Sequence, residues 1–243
     1  MSDTSTQVRV KHQQYGDSAI MLTIASDDKN LRGSATRTVR TQVIAARLAG
    51  VTDIVAGLDS VLVQYDCAQV DAVDVDAALR GVVDAALSTT AVDRPGRLFE
   101  IPTVFGGDFG PDLDGAAAEL GIGPSELIAR FTSAAHVVEL LGSGTAPMMR
   151  APRLGGSLAR RTAPRSAVPG GAVMAAGENS IIGPAPGPSG WRILGRTPLR
   201  LFDIHRDPVV PYEPGDRFTF VALPAAEWDI HCGRALEPSE VTS

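Results

Sequence analysis

A chain of 243 residues with 44% hydrophobic and 21% charged side chains can build one large core or two small ones, which excludes bulk disorder. Its formal net charge of -6 argues against a general nucleic-acid surface. The two cysteines, Cys67 and Cys232, match neither a disulfide framework nor a metal-binding spacing, and no apolar run approaches the roughly 20 residues that span a bilayer. Residues 1–7 are polar and lack the apolar core of a signal peptide, so a cytoplasmic protein with no membrane or nucleic-acid partner is expected.

In chain order, a turn at Gly16-Asp17 leads into a buried strand over 19–24. Ala35, Val39, Val43 and Ala46 recur at helical spacing and Gly50 ends the run, which predicts a helix over 31–48. A strand over 51–56, a turn at 57–59 and a hairpin partner over 60–65 follow. Val75, Leu79, Val82, Val83 and Ala86 mark a second amphipathic helix, and a strand begins near Arg97 and runs to Thr103. Strand, helix, strand, strand, helix, strand is the split βαβ or ferredoxin-like order, although the last strand also suits the domain that follows. Thr89, Thr90, Asp93 and Pro95-Gly96 place a linker at 88–96. The expected domains are therefore 8–95 and 96–236, with flexible tails over 1–7 and 237–243.

Beyond the linker, Leu113, Ala116, Ala117 and Leu120 line a helix with Asp112 near its N-terminus. Gly123-Pro124-Ser125-Glu126 opens another, carrying Leu127, Ile128 and Phe131 on one face. From His136 onward, short strands such as 172–176, 191–194, 199–204 and 217–223 are separated by Gly- and Pro-rich turns. That pattern predicts a small β-barrel and an α+β protein. The stretch 142–165 shows the least pattern and carries Arg150, Arg153, Arg160, Arg161 and Arg165. Its cationic character suits a carboxylate or phosphate-like anion, or simply a solvated loop.

Discrete motifs add little. There is no Walker A sequence, no Gly-x-Gly-x-x-Gly between a strand and a helix, and no Gly-x-Ser-x-Gly elbow. The four histidines, His12, His136, His205 and His231, are scattered, so no metal or organic cofactor is expected in this chain alone. His136 reads first as a structural or surface histidine. Helix capping accounts for Asp112 and turn chemistry for Asp108. Trp191 suits either a binding wall or the filling of a barrel mouth. Arg196, between Gly195 and Thr197, calls for an anion or a carboxylate partner.

A set of short motifs in fixed order carries a resemblance. Gly16-Asp17, Ile101-Pro102, Gly110-Pro111-Asp112-Leu113, Pro164-Arg165, Val168-Pro169, Gly190-Trp191, Gly195-Arg196-Thr197-Pro198 and Pro214-Gly215-Asp216 run from about Tyr15 to about Leu223. Together they resemble the family of the 5-oxoprolinase B subunit, allophanate hydrolase subunit 1 and the Kip-type inhibitor of a sporulation histidine kinase. The resemblance implies a ferredoxin-like N-terminal domain and a cyclophilin-like β-barrel. It also implies a partner of the 5-oxoprolinase C type (allophanate hydrolase subunit 2), a small amide or lactam substrate, and ATP with Mg at the assembled complex. On this basis Arg196, Arg165 and His136 are the expected catalytic residues. Trp191, Arg153, Asp108 and Asp112 are the expected substrate-binding residues.

The departures from the family pattern are concentrated in one segment. Where the family carries a His, then a Tyr five positions on, then Gly-Phe-x-Pro-Gly-Phe-x-Tyr, this chain has Phe131, His136 and Gly142-Ser143-Gly144-Thr145-Ala146-Pro147-Met148-Met149. The family's Pro-Gly-Gly-Trp turn is Pro188-Ser189-Gly190-Trp191 here. A non-catalytic binding or regulatory relative, including a Kip-like kinase inhibitor, is the alternative expectation.

Overall fold

The computed structural model describes residues 7–88 and 96–239. Contacts divide the chain into two units, Met1–Arg94 and Pro95–Ser243, each taken by itself below. Most of the expected linker, 89–95, lies outside the described residues.

The first unit comprises β1 Arg9–Gln14, β2 Ala19–Ala25, α1 Lys29–Ala46, β3 Val51–Ala56, β4 Ser60–Tyr65 and α2 Ala72–Ser88. Its sheet has the order β1-β2-β4-β3, and every pairing is antiparallel. β2, α1 and β3 with β4 between the strands form a split βαβ unit. The place beside β2 is taken by β1, whereas the strand expected to complete this sheet, near 97–103, pairs within the second unit. β1 carries Lys11, His12, Gln13 and Gln14, with only alternate residues half-buried, so hydrophobic periodicity does not reveal it. Ile20, Leu22, Ile24, Val39, Val43, Val61, Val63, Leu79 and Val83 form the core between the sheet and the two helices. α1 starts where the Asp28 carboxylate accepts the amides of Asn30 and Leu31 at 2.7 and 3.2 Å, and it ends at Arg47 in the left-handed region with φ 45°.

The second unit is built on a closed barrel, consistent with a cyclophilin-like fold. Its strands are β5 Leu98–Phe105, β6 His136–Leu141, β7 Pro147–Arg150, β9 Ala172–Ala176, β10 Asn179–Ile182, β12 Arg192–Arg196 and β13 Arg217–Ala222. They follow the order β10-β7-β6-β13-β5-β12-β9, and β9 pairs back to β10. β8 Arg165–Val168 and β11 Gly187–Ser189 form a separate two-stranded sheet. The helices α3 Leu113–Glu119 and α4 Pro124–Thr132 bring Leu113, Ala116, Ala117, Leu127 and Phe131 into the same core as Phe99, Ile101, Val138, Met149, Leu194 and Phe218. β5 and β13 pair in parallel from Leu98↔Arg217 to Thr103↔Ala222. The Pro214-Gly215-Asp216 turn fastens that pair. Asp216 is 2% exposed and accepts the Arg97 amide at 2.9 Å, the Arg97 guanidinium at 2.6 Å and the Glu213 amide at 2.9 Å.

Two segments differ from their sequence pattern. The stretch 142–165 contains a 3₁₀ turn, Ser143–Thr145, and β7, and Leu158 bridges Gly177. Residues 199–204 lie in no strand, and Arg200 makes only an isolated bridge with Ala235. Pro198 before them, and Pro208 and Pro211 beyond, remove the amide donors that a longer ladder needs. Further on, Glu237 pairs with Arg206 at 3.0 Å, and the Ser239 amide donates to Leu98 O at 2.7 Å.

Within the block Gly106-Gly107-Asp108-Phe109-Gly110-Pro111-Asp112, Gly106 and Asp112 donate their amides to Leu194 O and Ile193 O at 3.1 and 3.0 Å. The connector therefore lies flush on β12. A Cβ on Gly110 would meet Leu194 O at 2.0 Å. Gly110→Ala is expected to lower stability by about 1–3 kcal/mol through overpacking. Gly115→Ala, where a Cβ meets nothing within 4 Å, should leave the thermal midpoint unchanged or slightly raised. Equal midpoints for Gly110→Ala and the parent protein would contradict the close approach.

Candidate functional site

The turn that ends β12 presents the best-defined unsatisfied cation of the barrel. Gly195 lets β12 approach β5, since a Cβ there would stand 2.6 Å from Val104 O. The next residue, Arg196, donates its Nε–H to Gly170 O at 2.8 Å. Its guanidinium carbon lies 5.1 Å from the centre of the Trp228 ring, and that ring is 4.8 Å from Phe109. Nε is thus committed, and the plane is held against an aromatic wall. The two terminal nitrogens have no protein partner among the described residues. A guanidinium fixed in this way offers a planar donor fork to a carboxylate, a phosphoryl group or a developing oxyanion.

A second cationic cluster is internally satisfied. Arg165 donates Nη1–H and Nη2–H to the two oxygens of Asp112 at 2.6 and 2.9 Å, and Arg161 reaches the same carboxylate at 2.8 Å. The Ile193 amide donates to Asp112 Oδ2 at 2.9 Å. Asp112 makes no side-chain cap on α3, where the sequence pattern suggests one. Burial alone would raise its pKa, but the hydrogen bonds from Arg165 and the Ile193 amide, with the charges of Arg165 and Arg161, hold it below the usual carboxylate value. Asp112 and Arg165 therefore face each other, joining the α3 entrance, β12 and the start of β8. Nearby, Glu119 accepts the Ala159 amide at 2.6 Å and Arg192 at 3.0 Å, and Arg130 donates to Leu154 O at 2.7 Å. The arginine-rich stretch is pinned at several points.

His136 is fully enclosed. Its Nε2–H donates to Phe131 O at 2.8 Å, which leaves Nδ1 to accept the Ser180 hydroxyl at 2.7 Å. The rings of Phe131 and Phe220 lie 4.5 and 4.6 Å away. Desolvation lowers its pKa to about 4, against a weaker raising effect of the Phe131 carbonyl. The ring is a neutral internal strut with no path to an external substrate.

The other expected residues are dispersed. Trp191 is half-buried against the cluster of Val168, Ala172, Met174 and Ile193. Arg153 and Asp108 are exposed, and neither side chain has a polar partner among the described residues. Sequence reading misses Trp228 and Phe109, and names Arg161 within the arginine-rich stretch without giving it a partner. A signal existed for the first, since Trp228 is one of only two tryptophans and stands in a polar Glu227-Trp228-Asp229 context. Among the described residues no group of three or more His, Cys, Asp or Glu side chains could hold a metal ion. No described helix is long and apolar enough to cross a membrane.

Comparison with known proteins agrees with this architecture. Residues 10–212 match the family model of the carboxyltransferase domain, subdomain C and D. The B subunit of 5-oxoprolinase from Bacillus subtilis is 30% identical over 237 residues, which cover 92% of this chain and 96% of that protein. The B subunit of 5-oxoprolinase from Escherichia coli O157:H7 is 35% identical over 139 residues, covering 54% and 61% respectively. Among solved structures, a conserved uncharacterised protein of Pyrococcus horikoshii aligns with TM-score 0.53 at 26% identity, covering 90% of this chain and all of that one. Kluyveromyces lactis urea carboxylase aligns with TM-score 0.74 over 98% of this chain and 24% of its own, and at 17% identity this likeness concerns fold alone. With the family pattern running through both of its units, the chain belongs to the carboxyltransferase subdomain C and D family, as a divergent relative of the 5-oxoprolinase B subunit.

Proposed function

We propose that this chain is one subunit of an ATP-dependent hydrolase of small amides or lactams, of the 5-oxoprolinase type, acting in the cytoplasm with a barrel protein of the 5-oxoprolinase C type. The observation that carries this reading is the 30% identity across 96% of a protein named as the B subunit of 5-oxoprolinase. The first unit is read as a ferredoxin-like variant in which β1 fills the edge normally taken by a terminal strand.

An unstrained amide carbonyl resists water. ATP would supply the phosphoryl group that activates its oxygen at the assembled complex. The part of this chain is electrostatic. Once phosphorylated, that oxygen bears the negatively charged phosphoryl group; water adds to the carbon, the C–N π electrons pass to nitrogen, which takes up a proton, and the fixed Arg196 fork can bind the phosphoryl oxygens without reorganising. Trp228 and the Gly170 carbonyl hold the fork in place. Arg165 acts through Asp112 as framework, and Trp191, Arg153 and Asp108 belong to the surrounding surface.

The test is to purify the chain with its C-type partner and with the further subunit that 5-oxoprolinase assemblies require, and to measure ATP-dependent release of glutamate from 5-oxoproline. Arg196→Ala is expected to lower turnover by about 10²–10³-fold with an unchanged thermal midpoint. An unchanged rate removes Arg196 from the chemistry. A second reading, a non-catalytic binding or regulatory relative, is favoured by the sealed state of His136 and by Phe131 at the family's histidine position. A stable complex inactive on every lactam and ureido substrate would establish it.

A further inference from the structure

The first unit holds a groove for which the proposed hydrolysis has no use. Its volume is about 520 Å³, and it runs between the last two turns of α1 and the beginning of β3. α1 contributes Arg40 and Ile44, which at four apart share one face, Arg47 follows as the left-handed residue that ends the helix, and the strand side contributes Val51, Asp53 and Ile54. β3 is an outer strand of the sheet, so among the described residues its far edge pairs with no other strand. It contains neither proline nor lysine, the usual protections of an edge, although a register shift interrupts its pairing with β4 between Val51 and Asp53. A helix lying beside a free strand edge is the arrangement by which extended peptides are added to sheets.

The chemistry of the groove selects among such peptides. Arg40 and Arg47 have no ion pair or side-chain hydrogen bond among the described residues, on a chain whose net charge is -6. Between them Ile44 is 43% exposed. Arg47 also occupies a φ of 45°, a position at a helix end where glycine is the ordinary choice. The Asp53 carboxylate accepts the Ile54 amide at 2.8 Å, which occupies a donor that an added strand would need.

We propose that this groove docks an acidic extended segment of a partner protein, which adds a strand to β3 and places its carboxylates on Arg40 and Arg47. Two copies of this chain meeting edge to edge would instead bring two such arginine pairs together, a like-charge arrangement that disfavours self-association here.

The probe is a dye-labelled octapeptide alternating Glu with Val and Ile, compared with its Lys-for-Glu counterpart by anisotropy on the full chain. The acidic peptide should bind and the basic one should not. Arg40→Glu combined with Arg47→Glu should weaken binding by at least about tenfold without moving the thermal midpoint, because neither side chain supports the fold. Asp53→Ala should tighten binding severalfold by freeing the Ile54 amide, and peptide-induced amide shifts should centre on 51–56. Absence of binding to the acidic peptide, equal binding of both peptides, or indifference to the arginine reversal would each overturn the proposal. A concentration-dependent dimer whose interface shifts map to β3 would also overturn it, by assigning the edge to a second copy. None of these readouts depends on ATP turnover.

Discussion

Asp112→Ala is expected to destabilise the barrel unit by about 3–5 kcal/mol, measured by urea unfolding at pH 7. The carboxylate is only 6% exposed, and its removal strands Arg161 and Arg165, both less than one-third exposed, together with the Ile193 amide. A buried ion cluster is weak evidence of net stability when replaced whole, but losing its single anion leaves two half-buried arginines without a counter-ion, Arg161 keeping only its 3.3 Å bond to Ala163 O. Asp112→Asn should lose somewhat less, because an amide oxygen still accepts from Ile193. Arg165→Met should lose less again, because Arg161 remains paired. The pH dependence has a definite sign. The folded pKa lies below the ordinary 3.8, so the stabilisation is present above pH 3.8 and is lost as pH falls through the folded value. Wild-type stability for Asp112→Ala would show that the cluster contributes nothing.

The second large effect is acid destabilisation through His136, in a different pH window. Its pKa falls from 6.5 in the unfolded chain to about 4 in the folded one. Between those values the unfolded state binds more protons, so stability declines as pH drops from about 6.5 to about 4 and then levels off for this group. For this fully buried ring the full difference corresponds to about 3 kcal/mol. In His136→Gln, the side-chain amide can donate to Phe131 O and accept from the Ser180 hydroxyl while losing the titration. That variant should flatten the stability profile between pH 6.5 and 4. An identical slope in the two proteins would place the acid sensitivity elsewhere.

Helices with apolar residues three and four apart, and strands bounded by Gly and Pro, were readable from the sequence because burial imposes those periods. α1, β3, β4 and α4 all obey them. β1 was not readable, since an edge strand half in water has no apolar alternation to display. β7 was hidden for a related reason. Pro147-Met148-Met149-Arg150 is short and opens on a proline, so it shows no alternation of its own, although it folds back on β6 as a hairpin and also pairs with the more distant β10. Residues 199–204 show the opposite error, an apolar run without a ladder.

The site was less readable because its parts meet only in three dimensions. The lone arginine of Gly195-Arg196-Thr197-Pro198 announces a need for a partner, yet nothing in its neighbourhood names Trp228. Asp112 and Arg165 each stand out in the sequence, and the distance between them along the chain conceals that each is the other's partner. His136 is followed by the apolar run Val137-Val138, which is a signal for burial over catalysis. Composition cannot say which nitrogen is capped or whether water reaches it.

The parallel pairing of β5 with β13 has a consequence in time. The strands that close the barrel stand at opposite ends of the second unit, and the Asp216 clasp on Arg97 joins residues 119 positions apart. Ribosomes add about 5–20 residues each second, so Arg97 emerges roughly 6–24 s before its clasp exists. The four strands of the first unit are complete by Tyr65. Synthesis therefore leaves β5 waiting, with Phe99 and Ile101 uncovered, for longer than most loops take to close by many orders of magnitude. The interval is a window in which a nascent-chain chaperone, or premature contact with another chain, can decide the yield of the protein.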